Sequence, residues 1–157
     1  MELKEKDLKV FVDAVTHYFS QSTRSPALIR AAYLADNSVP QFQYTGLISI
    51  SGHFCGCVHF SAPEKMVRRL LLEWGEPDAS KPNLLDAVGE IANTIAGNAR
   101  KHFGKELEIS VPITLFGATD QIKAAVRVRP FVISLEWCNS QATVVVDLEP
   151  AKLEAIA

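Results

Sequence analysis

Four residues of the segment 82–104 have the types and the spacing of a polar line along one helix face. Asp86, Glu90, Asn93 and Gly97 follow one another at positions i, i+4, i+7 and i+11. At about 100° per residue they fall within about 60° of each other. A solvated helix face ordinarily carries Lys, Glu, Arg and Gln, whereas Asn and Gly each cost up to about 1 kcal/mol relative to Ala. This polar line therefore favours a surface that meets a partner, with a plain solvated face as the alternative.

The chemistry open to these side chains is positioning rather than proton transfer. An exposed Glu is a poor general base, because its pKa lies near 4.3, and Asn transfers no proton. The carboxamide of Asn93 is able to donate to and accept from one water molecule, which suits phosphoryl transfer. The carboxylate of Glu90 is able to clamp a cation or a Lys of a partner. Gly89 and Gly97 carry no side chains, which predicts a close approach of that partner to the helix backbone.

A second group of reactive residue types, in the segment 53–60, lacks the spacing of a metal site. Zinc ligands converge on one point at bond lengths of about 2.0–2.3 Å. Alternate residues of a strand lie about 6.5 Å apart, so four of them span roughly 20 Å. We therefore interpret the segment as a strand whose other face is apolar, and we predict no metal site. The four residues are His53, Cys55, Cys57 and His59.

The elements that must position the polar line follow from hydrophobic periodicity and turn residues. Helices are predicted over 4–21, 64–74 and 82–103, and strands over 44–50, 53–60, 108–116, 124–137 and 142–148. The segment 27–35 fits a helix or a strand. Two-residue hairpin turns are predicted at Ser51-Gly52 and at Asn139-Ser140, and Pro112 predicts an edge or a bulge. The order indicates an α+β fold: a mostly antiparallel sheet with long helices packed on one face.

Length and charge exclude several classes of protein. The chain has 157 residues, of which 48% are hydrophobic and 22% charged, with a net charge of −2. We expect a single domain over 1–157. No basic field is present to hold a nucleic acid, and no apolar run reaches the roughly 20 residues of a membrane span. Three cysteines fit a reducing compartment, so we expect a cytoplasmic protein that binds neither nucleic acid nor membranes.

The segment from Asp86 to Asn98, DAVGEIANTIAGN, resembles the signature helix of the CheC/CheX/FliY phosphatases and is most similar to CheX. That signature is an Asp or Ser, three residues, Glu, two residues and Asn. The resemblance implies a CheC-like fold and hydrolysis of the aspartyl phosphate of a phosphorylated CheY-like response regulator. It implies that Asn93 orients the attacking water, that Glu90 pairs with the regulator's Lys and that Asp86 supports them. It also implies that the regulator supplies Mg²⁺, so that this chain needs no cofactor or metal of its own.

A short match within the chain indicates a pseudo-repeat of helix plus strands. Residues 11–15, FVDAV, are similar to residues 84–88, LLDAV. In this alignment His17 stands at the position of Glu90 and Ser20 at that of Asn93, so the first copy lacks both groups. One intact signature implies the CheX branch of the family, and that branch implies a homodimer.

Two other functions are weighed against the phosphatase. The chain is alternatively a non-catalytic module that binds a response regulator, although such a module needs no water-orienting carboxamide. A structural α/β domain with a chance surface helix ranks below both.

Overall fold

The computed structural model describes residues 3–36, 39–104, 107–117 and 129–151. Its helices are α1 (Glu5–Ser22), α2 (Glu64–Glu73) and α3 (Lys81–Phe103). Its strands are β1 (Leu28–Leu34), β2 (Tyr44–Gly52), β3 (Phe54–Ala62), β4 (Leu107–Ile109), β5 (Ile113–Phe116), β6 (Phe131–Trp137) and β7 (Ser140–Pro150). The three predicted helices are present. The segment 27–35, for which the sequence allowed either a helix or a strand, contains strand β1. Of the predicted strand 124–137, residues 124–128 lie outside the described part of the chain.

The helices form because each has one apolar stripe and polar residues opposite it. In α1 the buried residues are Phe11, Ala14, Val15, Tyr18 and Phe19. The helix begins after Lys4, whose backbone N–H donates to Asp7 Oδ2 at 2.9 Å. Among the described residues, no helix is long and apolar enough to cross a membrane.

All the strand pairings described are antiparallel and belong to one sheet. The strand order is β1-β6-β7-β3-β2-β4, and β5 also pairs with β2. β4 and β5 occupy the same outer edge of β2, against residues 50–52 and 44–47 respectively. Pro112 lies in the gap between them, where a residue without an N–H is tolerated. The predicted α+β fold with an antiparallel sheet is confirmed.

The two halves of the chain repeat the same topology, as the pseudo-repeat predicts. Each half contains a long helix, an edge segment and a hairpin: α1, β1 and β2–β3, then α3, β4–β5 and β6–β7; α2 connects the two. The hairpins meet through β3 and β7 at the centre of the sheet, and each edge segment pairs with the hairpin of the other half.

The main core lies between the helices and one face of the sheet. Alternate residues of β6 and β7, such as Ile133 and Val144, join the helices in this core. Their neighbours Val132 and Val145 point to the opposite face, where they form a second small cluster with Ala35. The predicted placement of the helices on one face is therefore confirmed.

Both predicted hairpins exist, but the first turn does not lie at the predicted residues, and the second lies one residue earlier than predicted. Ser51 and Gly52 still belong to β2, because they pair with β4, and the last β2–β3 pair is Ile50 with Gly56. The other turn is formed by Cys138 and Asn139, with φ of 48° and 63°, and Ser140 already pairs with Trp137. Positive φ at both central residues is the geometry of a tight two-residue hairpin turn.

Candidate functional site

Helix α3, which carries the polar line, has well-defined ends. At its beginning the N–H of Ser80 donates to Asp78 Oδ1 at 3.0 Å, and Asn83 Nδ2 donates to the Asp78 carbonyl at 2.9 Å. Pro82 lies in the first turn, where its missing N–H leaves no helical bond unmade. At its end Gly104 adopts a φ of 80°, as glycine does after many helices.

The inner face of α3 rests directly on the sheet, which fixes the position of the outer face. A Cβ added to Gly46 of β2 would collide with the carbonyl of Val88 and lie 2.8 Å from the backbone N of Gly89. Helix backbone and strand backbone therefore touch with no side chain between them. The buried residues of α3 are Leu84, Ala87, Val88, Gly89, Ile91, Ala92, Ile95, Ala96 and Ala99.

The polar line lies on the opposite side of α3. Asp86 and Glu90 are exposed, and Asn93 and Gly97 are half-buried. The Thr94 hydroxyl donates to the Glu90 carbonyl at 2.9 Å, and this bond occupies the backbone of Glu90 rather than its carboxylate. An added Cβ on Gly97 meets nothing within 4 Å, so this part of the helix backbone is open to a partner.

Gly89, predicted together with Gly97 to contact a partner, does not belong to this open surface in the isolated chain. It is buried, and an added Cβ would lie 2.9 Å from Thr114 Cγ2 and 3.4 Å from Pro112 Cβ. The chain's own β4–β5 connection and β5 cover it. Gly89 is needed because that segment and β2 both press on α3 at this point.

On its other side the polar line is bordered by α1, which packs antiparallel to α3. Their rings Phe11 and Phe103 lie 5.9 Å apart, and His102 Nε2 lies 3.3 Å from Asp7 Oδ1. Further along, Tyr18 of α1 is buried near Glu90. The pKa of the Tyr18 phenol is raised chiefly by burial and further by the negative charge of Glu90. The phenol therefore stays protonated beside the Glu90 carboxylate.

Two exposed aliphatic side chains lie on the segment between β4 and the end of β5, whose Pro112 and Thr114 cover Gly89. Val111 is 82% exposed and Ile113 is 51% exposed. Phe116 is also exposed, and Lys81 Nζ lies 3.8 Å above its ring centroid. Sequence reasoning missed Phe116 as a neighbour of α3, because only strand pairing brings it there. Ile113 pairs with Leu47, which is in register with His59 on the sheet face away from the helices, so its side chain does not lie beside the polar line.

A groove with two basic side chains continues the polar line beyond Gly97. It is lined by Gly97, Arg100, Lys101, Gly104 and Ile109. Arg100 and Lys101 are both exposed and lie in the last turn of α3, where cations are favoured by the helix dipole. The outer face of α3 is thus acidic toward its beginning and basic toward its end.

The residues His53, Cys55, Cys57 and His59 lie along β3 and the turn before it. In the described ranges no group of three or more His, Cys, Asp or Glu side chains is arranged to hold a metal ion. Phe54, Val58 and Phe60 face the main core, which confirms the predicted division of this strand into two faces.

Solved structures share this fold over almost the whole chain. CheX from Desulfovibrio desulfuricans is 22% identical with a TM-score of 0.74, covering 92% of this chain and 99% of that one. A CheC-like superfamily protein from Shewanella sp. PV-4 is 16% identical with a TM-score of 0.78, covering 94% and 99%. A complex of CheX with CheY, BeF₃ and Mg²⁺ from Borrelia burgdorferi is 14% identical with a TM-score of 0.74, covering 90% and 96%. These similarities define a CheC-like α+β protein.

The sequence of the central part of the chain identifies its protein family. Residues 44–136, more than half of the chain, match the model of the chemotaxis phosphatase CheX. The chain therefore belongs to the CheX family of chemotaxis phosphatases. No curated protein matches its sequence.

Proposed function

We propose that this protein hydrolyses the aspartyl phosphate of a phosphorylated CheY-like response regulator. In this proposal α3 enters the regulator's active site, Asn93 orients the attacking water, Glu90 pairs with a Lys of the regulator and Asp86 supports the contact. Membership of the CheX family supports the reaction, and the similarity to a CheX solved with CheY supports the partner.

One observation carries the proposal. Asn93 and Glu90 stand together on the outer face of a helix whose inner face touches the backbone of β2 at Gly46. A rigid support of this kind holds a water-binding side chain in one place without reorganisation during the reaction.

The reaction needs alignment more than acid or base. Water attacks the phosphorus, the bond between phosphorus and the aspartate oxygen breaks, and the products are inorganic phosphate and a free carboxylate. The Asn93 carboxamide accepts from the water through its oxygen and donates through its NH₂, which aligns the lone pair with the phosphorus. The proton of the attacking water leaves to phosphate or solvent, because Asn does not accept it.

Three further parts of the proposal concern what accompanies the chain. The regulator supplies Mg²⁺, the protein acts in the cytoplasm without a cofactor of its own, and it forms a homodimer. Light scattering measures the oligomeric state, and a dimer is the expected result. In the decay assay below, chelation of Mg²⁺ is expected to stop the reaction, while Mg²⁺ has no effect on the melting temperature of this protein alone.

The direct experiment follows the decay of a ³²P-labelled, aspartyl-phosphorylated CheY-type regulator from the same organism, with and without this protein. We expect faster decay with the wild type. Glu90→Ala is expected to lower the rate and to weaken binding, because a charge pair with the regulator is lost. His17→Ala, on the exposed face of α1 at the equivalent position, is the matched control and leaves both unchanged.

The same experiment separates the proposed phosphatase from the alternative. Binding of the regulator without any change in its decay would replace the proposal by a non-catalytic regulator-binding module. Neither binding nor faster decay, with every receiver domain of the organism, would contradict both.

A further inference from the structure

The two long helices of the pseudo-repeat differ in what binds one of their backbone carbonyls. In α3 this carbonyl belongs to Glu90, and the hydroxyl of half-buried Thr94 donates to it at 2.9 Å. The backbone N–H of Thr94 donates to the same oxygen as part of the helix. A backbone carbonyl oxygen has two lone pairs, so Thr94 occupies both of them.

In α1 the corresponding carbonyl is that of His17, and a different side chain bonds to it. Ser20, which stands at the position of Asn93, donates its hydroxyl to the His17 carbonyl at 3.0 Å. Residue 21, which corresponds to Thr94, is a glutamine and has no hydroxyl. In the first half of the chain the side chain at the Asn93 position therefore folds back onto its own helix.

Asn93 has the chemistry to do the same, because Asn side chains in helices bond to backbone groups three or four residues earlier. The carbonyl three residues earlier is that of Glu90, with both lone pairs occupied. The carbonyl four residues earlier belongs to Gly89, a buried residue covered by Pro112 and Thr114. Among the described residues the Asn93 carboxamide has no hydrogen-bond partner, which agrees with the occupied Glu90 carbonyl.

We propose that Thr94 is a positioning residue for the reaction proposed above: its hydroxyl occupies the Glu90 carbonyl and thereby keeps the Asn93 carboxamide from folding back onto α3. The C=O and the NH₂ group of that carboxamide are then both available to the attacking water. The inference rests on the proposed function, because it concerns the residue that orients the water there. Thr94 acts through Asn93 and contacts neither the water nor the phosphate.

The first test needs no regulator and follows the side-chain NH₂ group of Asn93 by NMR. In the wild type this group is expected to be mobile, with an order parameter below about 0.6. Thr94→Val keeps the branched shape of the side chain, removes the hydroxyl and opens the Glu90 carbonyl. The order parameter is then expected to rise toward about 0.85, because the NH₂ group bonds to that carbonyl.

The second test measures hydrolysis and binding with the CheY-type regulator of the same organism. Thr94→Val is expected to lower the single-turnover rate at saturating protein about fivefold, equivalent to about 1 kcal/mol, because the carboxamide is divided between the carbonyl and the water. The Kd for the beryllofluoride- and Mg²⁺-loaded regulator is expected to stay at the wild-type value. Thr94→Ser restores a hydroxyl and is expected to restore both the rate and the mobility of Asn93.

Thr16→Val is the matched control, because the Thr16 hydroxyl donates to the Val12 carbonyl at 2.9 Å in α1. It removes the same kind of bond from the helix that lacks the proposed site, so the melting temperature is expected to change by a similar amount. Its hydrolysis rate and its Asn93 signal are expected to match the wild type. An equal loss of rate in Thr16→Val and Thr94→Val would reveal a general effect of helix stability and would overturn the positioning role.

Failure of the positioning role and failure of the proposed function give different results. A wild-type rate or a wild-type Asn93 order parameter in Thr94→Val would overturn the positioning role and leave the phosphatase intact. A wild type that binds the regulator without hydrolysing it would contradict the phosphatase. In that case the NMR measurement still decides whether Thr94 keeps the Asn93 carboxamide free.

Discussion

At the scale of single residues, His59 is the side chain least explained by the fold. It is fully buried on the sheet face away from the helices, between Leu47 and Val145 in register. Neither of its ring nitrogens has a hydrogen-bond partner among the residues that the structure describes. Burial lowers the pKa of His59 from its ordinary 6.5 to about 4, because the charged imidazolium has lost its water.

This histidine is expected to make the protein sensitive to mild acid. Between pH 6.5 and 4 the unfolded chain takes up a proton that the folded chain refuses, so stability falls as the pH falls. The full loss is on the order of 3 kcal/mol, at 1.36 kcal/mol for each pKa unit. Urea unfolding at about pH 7.5 and about pH 5 measures the part lost in that interval.

The matched variant for this measurement is His59→Leu, which does not titrate and leaves no unpaired nitrogen. It is expected to lose less stability than the wild type between the two pH values. Both proteins share every other titrating group, including Asp147 on the same sheet face, so the comparison isolates His59. Equal losses in the two proteins would show that His59 is not the source of acid sensitivity.

At the scale of elements, two glycines on opposite faces of α3 have different structural roles: Gly46 of β2 lies against its inner face, and Gly97 lies on its outer face. Gly46 allows helix and strand backbones to touch, and a Cβ there would collide with the Val88 carbonyl. Gly97 faces open space in the interior of a helix, where glycine costs up to about 1 kcal/mol relative to Ala. The first glycine serves packing, and the second lowers stability with no benefit to packing in the described chain.

Gly97→Ala is therefore expected to stabilise the protein by up to about 1 kcal/mol and to weaken binding of the regulator, because the added methyl holds the partner off the helix backbone. Gly46→Ala is the contrasting variant, and it is expected to destabilise the protein by several kcal/mol through backbone overlap. Urea unfolding and regulator binding measure the two effects. A Gly97→Ala protein that is more stable and binds as the wild type would show that the partner does not approach at Gly97.

How far the sequence predicts this helix depends on where each contact comes from. The buried face of α3 and the exposure of Asp86 and Glu90 follow from a local 3.6-residue period, and both are confirmed. The burial of Gly89 does not follow, because its cover comes from Pro112 and Thr114, which are brought there by strand pairing. The roles of Glu90 and Asn93 in catalysis remain predictions.

The turn of the first hairpin differs from its predicted position for a similar reason. Ser51-Gly52 has suitable turn residues, yet both residues extend β2 because β4 pairs with them from the outer edge. Turn propensity is local, whereas the register of a strand depends on distant partners. In general, periodicity located the elements of this chain and long-range pairing set their ends.

At the scale of the whole molecule, the pseudo-repeat is clear in burial although it is faint in sequence. The buried residues of α1 occupy the same positions as buried residues of α3: Phe11, Ala14, Val15, Tyr18 and Phe19 correspond to Leu84, Ala87, Val88, Ile91 and Ala92. The exposed face differs, with His17 and Ser20 in α1 where α3 has Glu90 and Asn93. The fold is thus duplicated while the proposed site is single.

The two halves are expected to fold only together. β1, β2 and β3 all pair with strands of the second half, and the helices share one core with the sheet. Residues 1–76 and 77–157, produced separately, should each lack the near-ultraviolet dichroism of packed aromatic side chains. An equimolar mixture should recover the signal of Trp137, which is buried against the end of α1 in the intact chain. A half that unfolds cooperatively alone would contradict the interdependence of the repeats.

The central claim, that Asn93 orients the attacking water, is tested most directly by single-turnover decay of the phosphorylated regulator with Asn93→Ala at saturating concentration. We predict a rate at least about 100-fold below that of the wild type, about 2.7 kcal/mol of transition-state stabilisation. The Kd for the beryllofluoride-loaded regulator and the melting temperature should stay close to wild type, because Asn93 lies outside the core. A variant that binds the regulator and hydrolyses it at the wild-type rate would contradict the account.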